Sequence, residues 1–315
     1  MTIRTLLFCL PGLLYCLGCG NRGELLGTFS NGDAAAIDAG APRDTDGGIT
    51  VGDPPRFTPP QLITSLVSPF SLEADPTFTA DLLDLFFMSD RAGTLDIWTS
   101  HRASSLDPWG APSPVMDLNT PGAEYGPCIS LDGLRIWFSS DRDMSLGRIW
   151  YATRTTRTGR WSLPFVLPEL TSDPGGFTRD FSPSVDASET MVMFGSTPPA
   201  GGGYDIYVAQ RSRATGPWGV PKLAPGLNGP FDDRDPFVAQ AGLMVFFTST
   251  RQGAGDLFWA SRQDLGTKFS TPVPLVDVNS GAYDSDATLS PDLGYLMFDS
   301  ARSGKAEIYE AFAIR

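Results

Sequence analysis

Between residues 57 and 315 the apolar positions cluster in short runs that return about every 52 residues: 85–88, 136–138, 191–194, 245–247 and 296–298. None alternates with polar residues as a half-exposed strand would, which predicts strands buried on both faces. A serine closes each run: Ser89, Ser140, Ser196, Ser249 and Ser300. Thirteen residues before each serine stands Pro76, Pro127, Pro183, Pro236 or Ala287. A second marker is an aromatic residue followed three positions later by proline, at Phe57, Trp109, Trp161, Trp218 and Phe269, with spacings of 52, 52, 57 and 51. Self-similarity at a fixed period is the mark of a repeat architecture.

Each unit reads as four strands. Strand a follows the proline and strand b is the apolar run. Strand c carries Asp96-Ile97-Trp98 and its equivalents at 148–150, 205–207, 256–258 and 307–309. Strand d opens with the aromatic-x-x-Pro element. Four short strands at a period near 50 predict an all-β, five-bladed β-propeller. The fifth unit stops after strand c, and an orphan aromatic-x-x-Pro stands at Phe57. The strand over 57–66 is therefore predicted to complete the last blade, against the strand at 306–314. Gly 34 and Pro 27 make up about a fifth of the chain, which leaves little room for long helices.

The first 56 residues have no such pattern. Arg4 and an apolar stretch over 6–17 predict a signal peptide at 1–18, too short to span a bilayer. Cys16-Leu17-Gly18-Cys19 resembles a bacterial lipobox, in which the last cysteine is lipidated and becomes the new N-terminus. Residues 20–56, rich in Gly, Ala, Asp and Pro, read as a flexible tether between Cys19 and a folded domain at 57–315. Cleavage and lipidation leave only Cys128, so no intramolecular disulfide is expected. Its strand position holds Thr77, Ser184, Phe237 and Thr288 in the other units, which reads as a small buried residue rather than a reactive thiol.

The residues Asn119-Thr120, Glu124, Pro127, Ser130, Asp132-Gly133, Phe138 and Ser140-Asp141-Arg142 resemble the WD40-like repeat of TolB-type propellers. Unit 1 repeats the pattern as Glu73, Pro76, Ser89-Asp90-Arg91, Gly93 and Asp96-Ile97-Trp98. The resemblance covers 57–315 and weakens in unit 3, where Ser196-Thr197-Pro198 lacks the arginine. It implies an exported, envelope-associated binding scaffold rather than a defined reaction.

Charge then narrows the chemistry. The formal net charge of −13 argues against a nucleic-acid partner. With one histidine, His101, a His-based zinc site or a Ser-His-Asp triad has little to build on. Acids recur three residues before each proline position, at Glu73, Glu124, Asp180, Asp233 and Asp284. They recur one residue before it at Asp75, Asp235 and Asp286. Strand alternation puts these on the same face as the b–c loops with Arg91, Arg142, Arg251 and Arg302. Two readings follow. Each arginine pairs with an acid and ties blades together, or the rim faces a partner through its acids. In the second case the Asp180 and Asp233–Asp235 sector is where a ligand is expected, because Pro198 stands in the place of unit 3's arginine. No cofactor is implied; a Ca²⁺ ion at the acidic rim is the one candidate. The function expected is a lipid-anchored, non-enzymatic envelope scaffold for a protein or peptidoglycan-associated component. The alternative is a carbohydrate-active hydrolase, since five-bladed glycosidases also carry carboxylates on the inner strands, and Asp75-Pro76 and Asp235-Pro236 resemble such sites.

Overall fold

The computed structural model describes residues 54–173, 178–197 and 203–314. The signal peptide, Cys19, most of the tether, Pro198 and Gly201-Gly202 lie outside these residues. Within them the chain is a five-bladed β-propeller with no α-helix. The strands are β1 (Gln61–Leu62), then four blades of four, then three strands of a fifth blade that β1 completes. Blade 1 is β2 (Glu73–Phe78), β3 (Asp84–Ser89), β4 (Asp96–His101) and β5 (Ser113–Pro114). Blade 2 is β6 (Glu124–Ile129), β7 (Arg135–Ser140), β8 (Arg148–Thr153) and β9 (Phe165–Val166). Blade 3 is β10 (Asp180–Val185), β11 (Met191–Ser196), β12 (Asp205–Gln210) and β13 (Lys222–Leu223). Blade 4 is β14 (Asp233–Ala239), β15 (Met244–Ser249), β16 (Asp256–Ser261) and β17 (Val273–Pro274). Blade 5 is β18 (Asp284–Leu289), β19 (Tyr295–Ser300) and β20 (Glu307–Phe312), completed by β1.

The apolar runs are buried on both faces because successive side chains point to opposite neighbours. Phe86 packs towards blade 2 with Ile136 and Phe138, whereas Phe87 packs towards blade 5 with Met297 and Ile308. One apolar layer of this kind fills each of the five blade interfaces. The ring closes as the orphan marker requires. Gln61 and Leu62 pair with Glu310 and Tyr309, Phe57 bridges Ala313, and the Ile314 N–H donates to the Arg56 carbonyl. Strand d is shorter than its sequence marker. Its aromatic residue is a buried plug and only two residues of ladder follow, as with Trp109 before β5.

Strand a is not regular. In every blade its pairing with strand b shifts register, between Ala74 and Thr77 in blade 1 and at the same place in the others. The first residue of that bulge has a left-handed backbone: Asp75, Gly126, Ser182, Asp235 and Asp286 have φ of 53°, 57°, 45°, 51° and 55°. A β-bulge leaves one residue out of the ladder. That explains the recurrent proline, which has no N–H to lose there.

Candidate functional site

The two acid sets have different environments. Glu73, Glu124, Asp180, Asp233 and Asp284 open strand a and are each 0–1% exposed. Arg91 Nη2 binds Glu73 at 2.8 Å, Arg142 binds Glu124 at 3.3 Å, Arg251 binds Asp233 at 2.5 Å and Arg302 binds Asp284 at 2.7 Å. Each of these arginines also donates Nε to the serine closing strand b: Ser89, Ser140, Ser249 or Ser300. The same Nη2 donates to the carbonyl of Leu66, Leu118, Leu227 or Val278, which lie in the segment entering the blade. The guanidinium stacks on aromatic rings of strands b and c, as Arg142 does on Phe138 and Trp150 at 5.0 and 4.9 Å. The unit is thus a clamp on the blade's own acid and on the incoming chain.

Blade 3 builds the same clamp from hydroxyls. Asp180 Oδ1 accepts from Ser172 N–H, Ser172 Oγ and Ser196 Oγ at 3.3, 3.1 and 2.7 Å. Glu73 has Lys305 of blade 5 as a second cation, at 3.2 Å. Burial pushes the Glu73 and Glu124 carboxyls up against the pull of these partners. Removing one member of a buried pair typically costs ~3–5 kcal/mol, because the other charge stays buried alone. Arg251→Ala is therefore expected to lower unfolding free energy by about that amount in urea melts. Asp233→Asn on top of it recovers part of the loss. An Arg251→Ala variant as stable as the wild type would contradict the clamp.

The second set lies at the axis. The bulge turns Asp75, Asp235 and Asp286 into the central channel, together with Gly126 and Ser182. Glycine, and less readily the short polar residues, adopt this backbone, so residue choice here answers partly to conformation. Beside them stands Asp299, which the sequence reading did not single out. It occupies the residue before the closing serine of β19, where the other blades have Met88, Ser139, Gly195 and Thr248. A charge at a place otherwise apolar, small or hydroxylic was the available sign.

One carboxylate oxygen from each of Asp75, Asp286 and Asp299 lies within 4.8 Å of the other two. Asp299 Oδ1 accepts from the Asp75 N–H at 3.2 Å, and its Oδ2 accepts from Ser285 Oγ at 2.8 Å. Asp75 Oδ2 accepts from the Gly126 N–H at 2.7 Å. Burial pushes Asp75 up to about 6 and Asp299 up to about 8. Asp286, half-buried in the channel wall, is raised well above the ordinary carboxylate value, first by loss of solvent and then by Asp235, Asp75 and Asp299. Burial also raises Asp235, opposed by Arg234 and Arg179. Arg234 is itself stacked between Tyr204 and Tyr283, at 5.2 and 5.1 Å. Like carboxylates this close cannot all ionise, so the cluster holds protons, with Asp286 hydrogen-bonded to Asp75 and Asp299. Among the described residues these three are also the group that could ligate a hard cation. The channel cavity beside them is ≈130 Å³.

Cys128 joins a different relay. The Ile129 N–H donates to Thr77 Oγ1, the Val185 N–H to Cys128 Sγ, and the Val238 N–H to Ser184 Oγ, each from one blade to the one before it. Burial pushes the thiol up to about 12. His101 lies on the exposed side of β4, its Nδ1 2.7 Å from Asp84.

No protein-family model matches this chain, and no curated protein matches it either. Solved structures do. A protein taken to be the TolB of Agrobacterium tumefaciens aligns at 16% identity over 79% of both chains, with a TM-score of 0.50. The catalytic domain of a Coprinopsis cinerea GH62 α-L-arabinofuranosidase aligns at 10% identity over 82% of this chain and 97% of its own, TM-score 0.60. An endo-arabinase from Bacteroides thetaiotaomicron aligns at 16% identity over 82% and 97%, TM-score 0.56. What is shared is the fold. Proteins named TolB and arabinan-type glycoside hydrolases both use it, so function rests on the site.

Proposed function

We propose that this chain is a non-catalytic binding propeller of the bacterial envelope, held on a membrane by a lipid on Cys19 and a tether over 20–56. Its partner is an envelope protein or a peptidoglycan-associated component. The observation that carries this reading is the state of the carboxyls. The outer acids are engaged by arginines or hydroxyls of their own blades, and Glu73 by Lys305 of blade 5 as well. The axial ones interlock, with one oxygen from each of Asp75, Asp286 and Asp299 within 4.8 Å of the other two. Glycoside hydrolysis sets two carboxyls ~5–5.5 Å or ~6.5–9.5 Å apart across a bound sugar. Ligand pockets of drug-like size are roughly 300–1,000 Å³, and the axial cavity is ≈130 Å³. Carboxyls that hydrogen-bond one another in so small a space have no room for a glycosidic bond between them. The TolB-type repeat pattern points the same way.

Two measurements test the proposal. The full-length chain, incubated with arabinan and arabinoxylan, should release no reducing sugar. Release that disappears in Asp235→Asn would overturn the non-catalytic reading. Cys19→Ser should move the protein from the membrane to the soluble envelope fraction, and a variant still sedimenting with membranes would rule out the lipid anchor.

A further inference from the structure

Departures from a repeat are where a propeller's own function is written, because what every blade shares is needed to build blades. The sharpest departure lies on the side of blade 2 facing blade 3. Trp137, Tyr151 and Phe165 are direct cross-strand partners on β7, β8 and β9. Their ring centroids are spaced 5.1 and 5.3 Å apart, forming an aromatic ladder from the core to the outer edge. The same three positions hold Phe86, Thr99 and Ser113 in blade 1 and Met193, Val208 and Lys222 in blade 3. They hold Phe246, Trp259 and Val273 in blade 4, and Met297, Glu310 and Gln61 in blade 5. Blade 2 alone has three rings, and the outermost, Phe165, is 52% exposed.

The ladder forms one wall of a cleft of ≈690 Å³, within the range of ligand sites. Its polar groups converge on the rings. Arg135, beside the ladder, binds Glu189 of blade 3 at 2.5 Å, and Arg211 approaches the other Glu189 oxygen at 3.7 Å. The Tyr151 hydroxyl makes no hydrogen bond among the described residues, although Glu189 and Arg135 are its near neighbours. With Glu169 also lining the cleft, two cations face two anions.

We infer that this cleft binds a neutral oligosaccharide, its C–H faces stacked on Tyr151 and Phe165 and its hydroxyls bonded to Glu189, Arg135 and the Tyr151 hydroxyl. Three features select that class. Balanced charge gives no net pull on an ionic ligand. An aromatic face with its negative quadrupole attracts the weakly positive C–H face of a sugar ring. Charged donors and acceptors side by side suit hydroxyl groups, which both give and accept hydrogen bonds. A proline-rich peptide also docks in aromatic grooves, but it offers carbonyl acceptors and few donors, which would leave Glu189 without a ligand partner. The inference rests on the binding-propeller reading and adds a glycan ligand to the partner proposed there.

Calorimetric titration of the full-length chain in a sugar-free detergent tests it, with cellohexaose, xylohexaose, mannohexaose and chitohexaose as separate probes and decaproline as the competing class. At least one hexasaccharide should bind with a millimolar or tighter Kd. Phe165→Ala should weaken it by about tenfold, the loss of one half-exposed ring, with the melting temperature unchanged. Tyr151→Phe, which keeps the ring and removes the hydroxyl, should weaken it severalfold. Failure of all four saccharides to bind overturns the inference, as does binding that neither variant alters. Decaproline binding lost in Phe165→Ala would make the cleft a peptide groove and overturn it too. Chromatography of the same samples keeps the two readings apart. Cleaved hexasaccharide would refute the non-catalytic reading, while cleft-dependent binding would still support the glycan assignment.

Discussion

Asp286→Asn should raise the melting temperature at pH 8 and flatten its fall between pH 5 and pH 8. Folding lifts Asp75 to about 6 and Asp299 to about 8, and Asp286 well above its ordinary value, chiefly through burial. The folded chain therefore holds more protons than the unfolded chain between about pH 4 and pH 8. The stability contributed by these protonated carboxyls is fully present below about pH 4 and is lost as pH rises through about 6 and then about 8. For Asp299, raised to about 8, the cost above that pH is on the order of several kcal/mol. The amide introduced by Asp286→Asn keeps the hydrogen-bond donor that the protonated carboxyl offers to Asp75, and it cannot ionise. A gain of a few kcal/mol corresponds to roughly 5–10 °C for a domain of this size. An opposing trend sets in at low pH. Asp81 is pushed up by partial burial but pulled down harder by Arg157 and Thr79, to about 2, and its contribution is lost in acid. Maximum stability is thus expected on the acid side of neutrality. Thermal melts of both proteins at pH 5 and pH 8 decide the matter. If Asp286→Asn is destabilised at pH 8, and millimolar Ca²⁺ stabilises only the wild type there, the cluster binds a cation instead of protons.

Deletion of residues 57–66 should convert a monomer into an aggregate. This segment inserts Phe57, Ile63 and Leu66, all buried, between blades 4, 5 and 1. Its strand covers the outer edge of β20. Burying three large apolar side chains contributes roughly 5–9 kcal/mol, as much as the whole net stability of many domains. What remains would expose an unpaired strand edge, a template for association with other chains. Phe57→Ala alone should cost ~3–5 kcal/mol. Size-exclusion chromatography and thermal melts check both variants. A deletion variant that stays monomeric and equally stable would show that the ring does not need this closure.

The blade count, the strand order within a blade and the closing segment were all legible in the sequence, and for one reason. Propeller blades repeat their solution to the same packing problem. An apolar run buried on both faces, a clamp serine thirteen residues after the bulge and an aromatic plug must recur wherever a blade recurs. Periodicity reads such constraints directly. The pairing of Arg91, Arg142, Arg251 and Arg302 with the outer acids was one of two readings, since sequence places them on one face but does not say whether they point inward. Asp180 needed the structure as well: the closing serine recurs in every blade and hydroxyls also reach Glu124 and Asp284, but the sequence does not say that Ser172 and Ser196 hold Asp180 without an arginine.

What only the tertiary structure decided is where unlike blades meet. Asp299 belongs to the second strand of blade 5 and Asp75 to the first strand of blade 1, more than two hundred residues apart, yet ring closure makes them neighbours. The left-handed bulge, not the acid spacing, aims Asp75, Asp235 and Asp286 at the axis. Trp137, Tyr151 and Phe165 lie in three strands whose register is set by hairpins and blade packing, so their alignment opposite Glu189 cannot be counted along the chain. Local sequence determined the blade, because each blade's hydrogen bonds and plugs are made mostly within about fifty residues. The axial carboxyls and the aromatic cleft depend on closure of the ring and on the one blade that differs from its neighbours, and those are properties of the assembled whole.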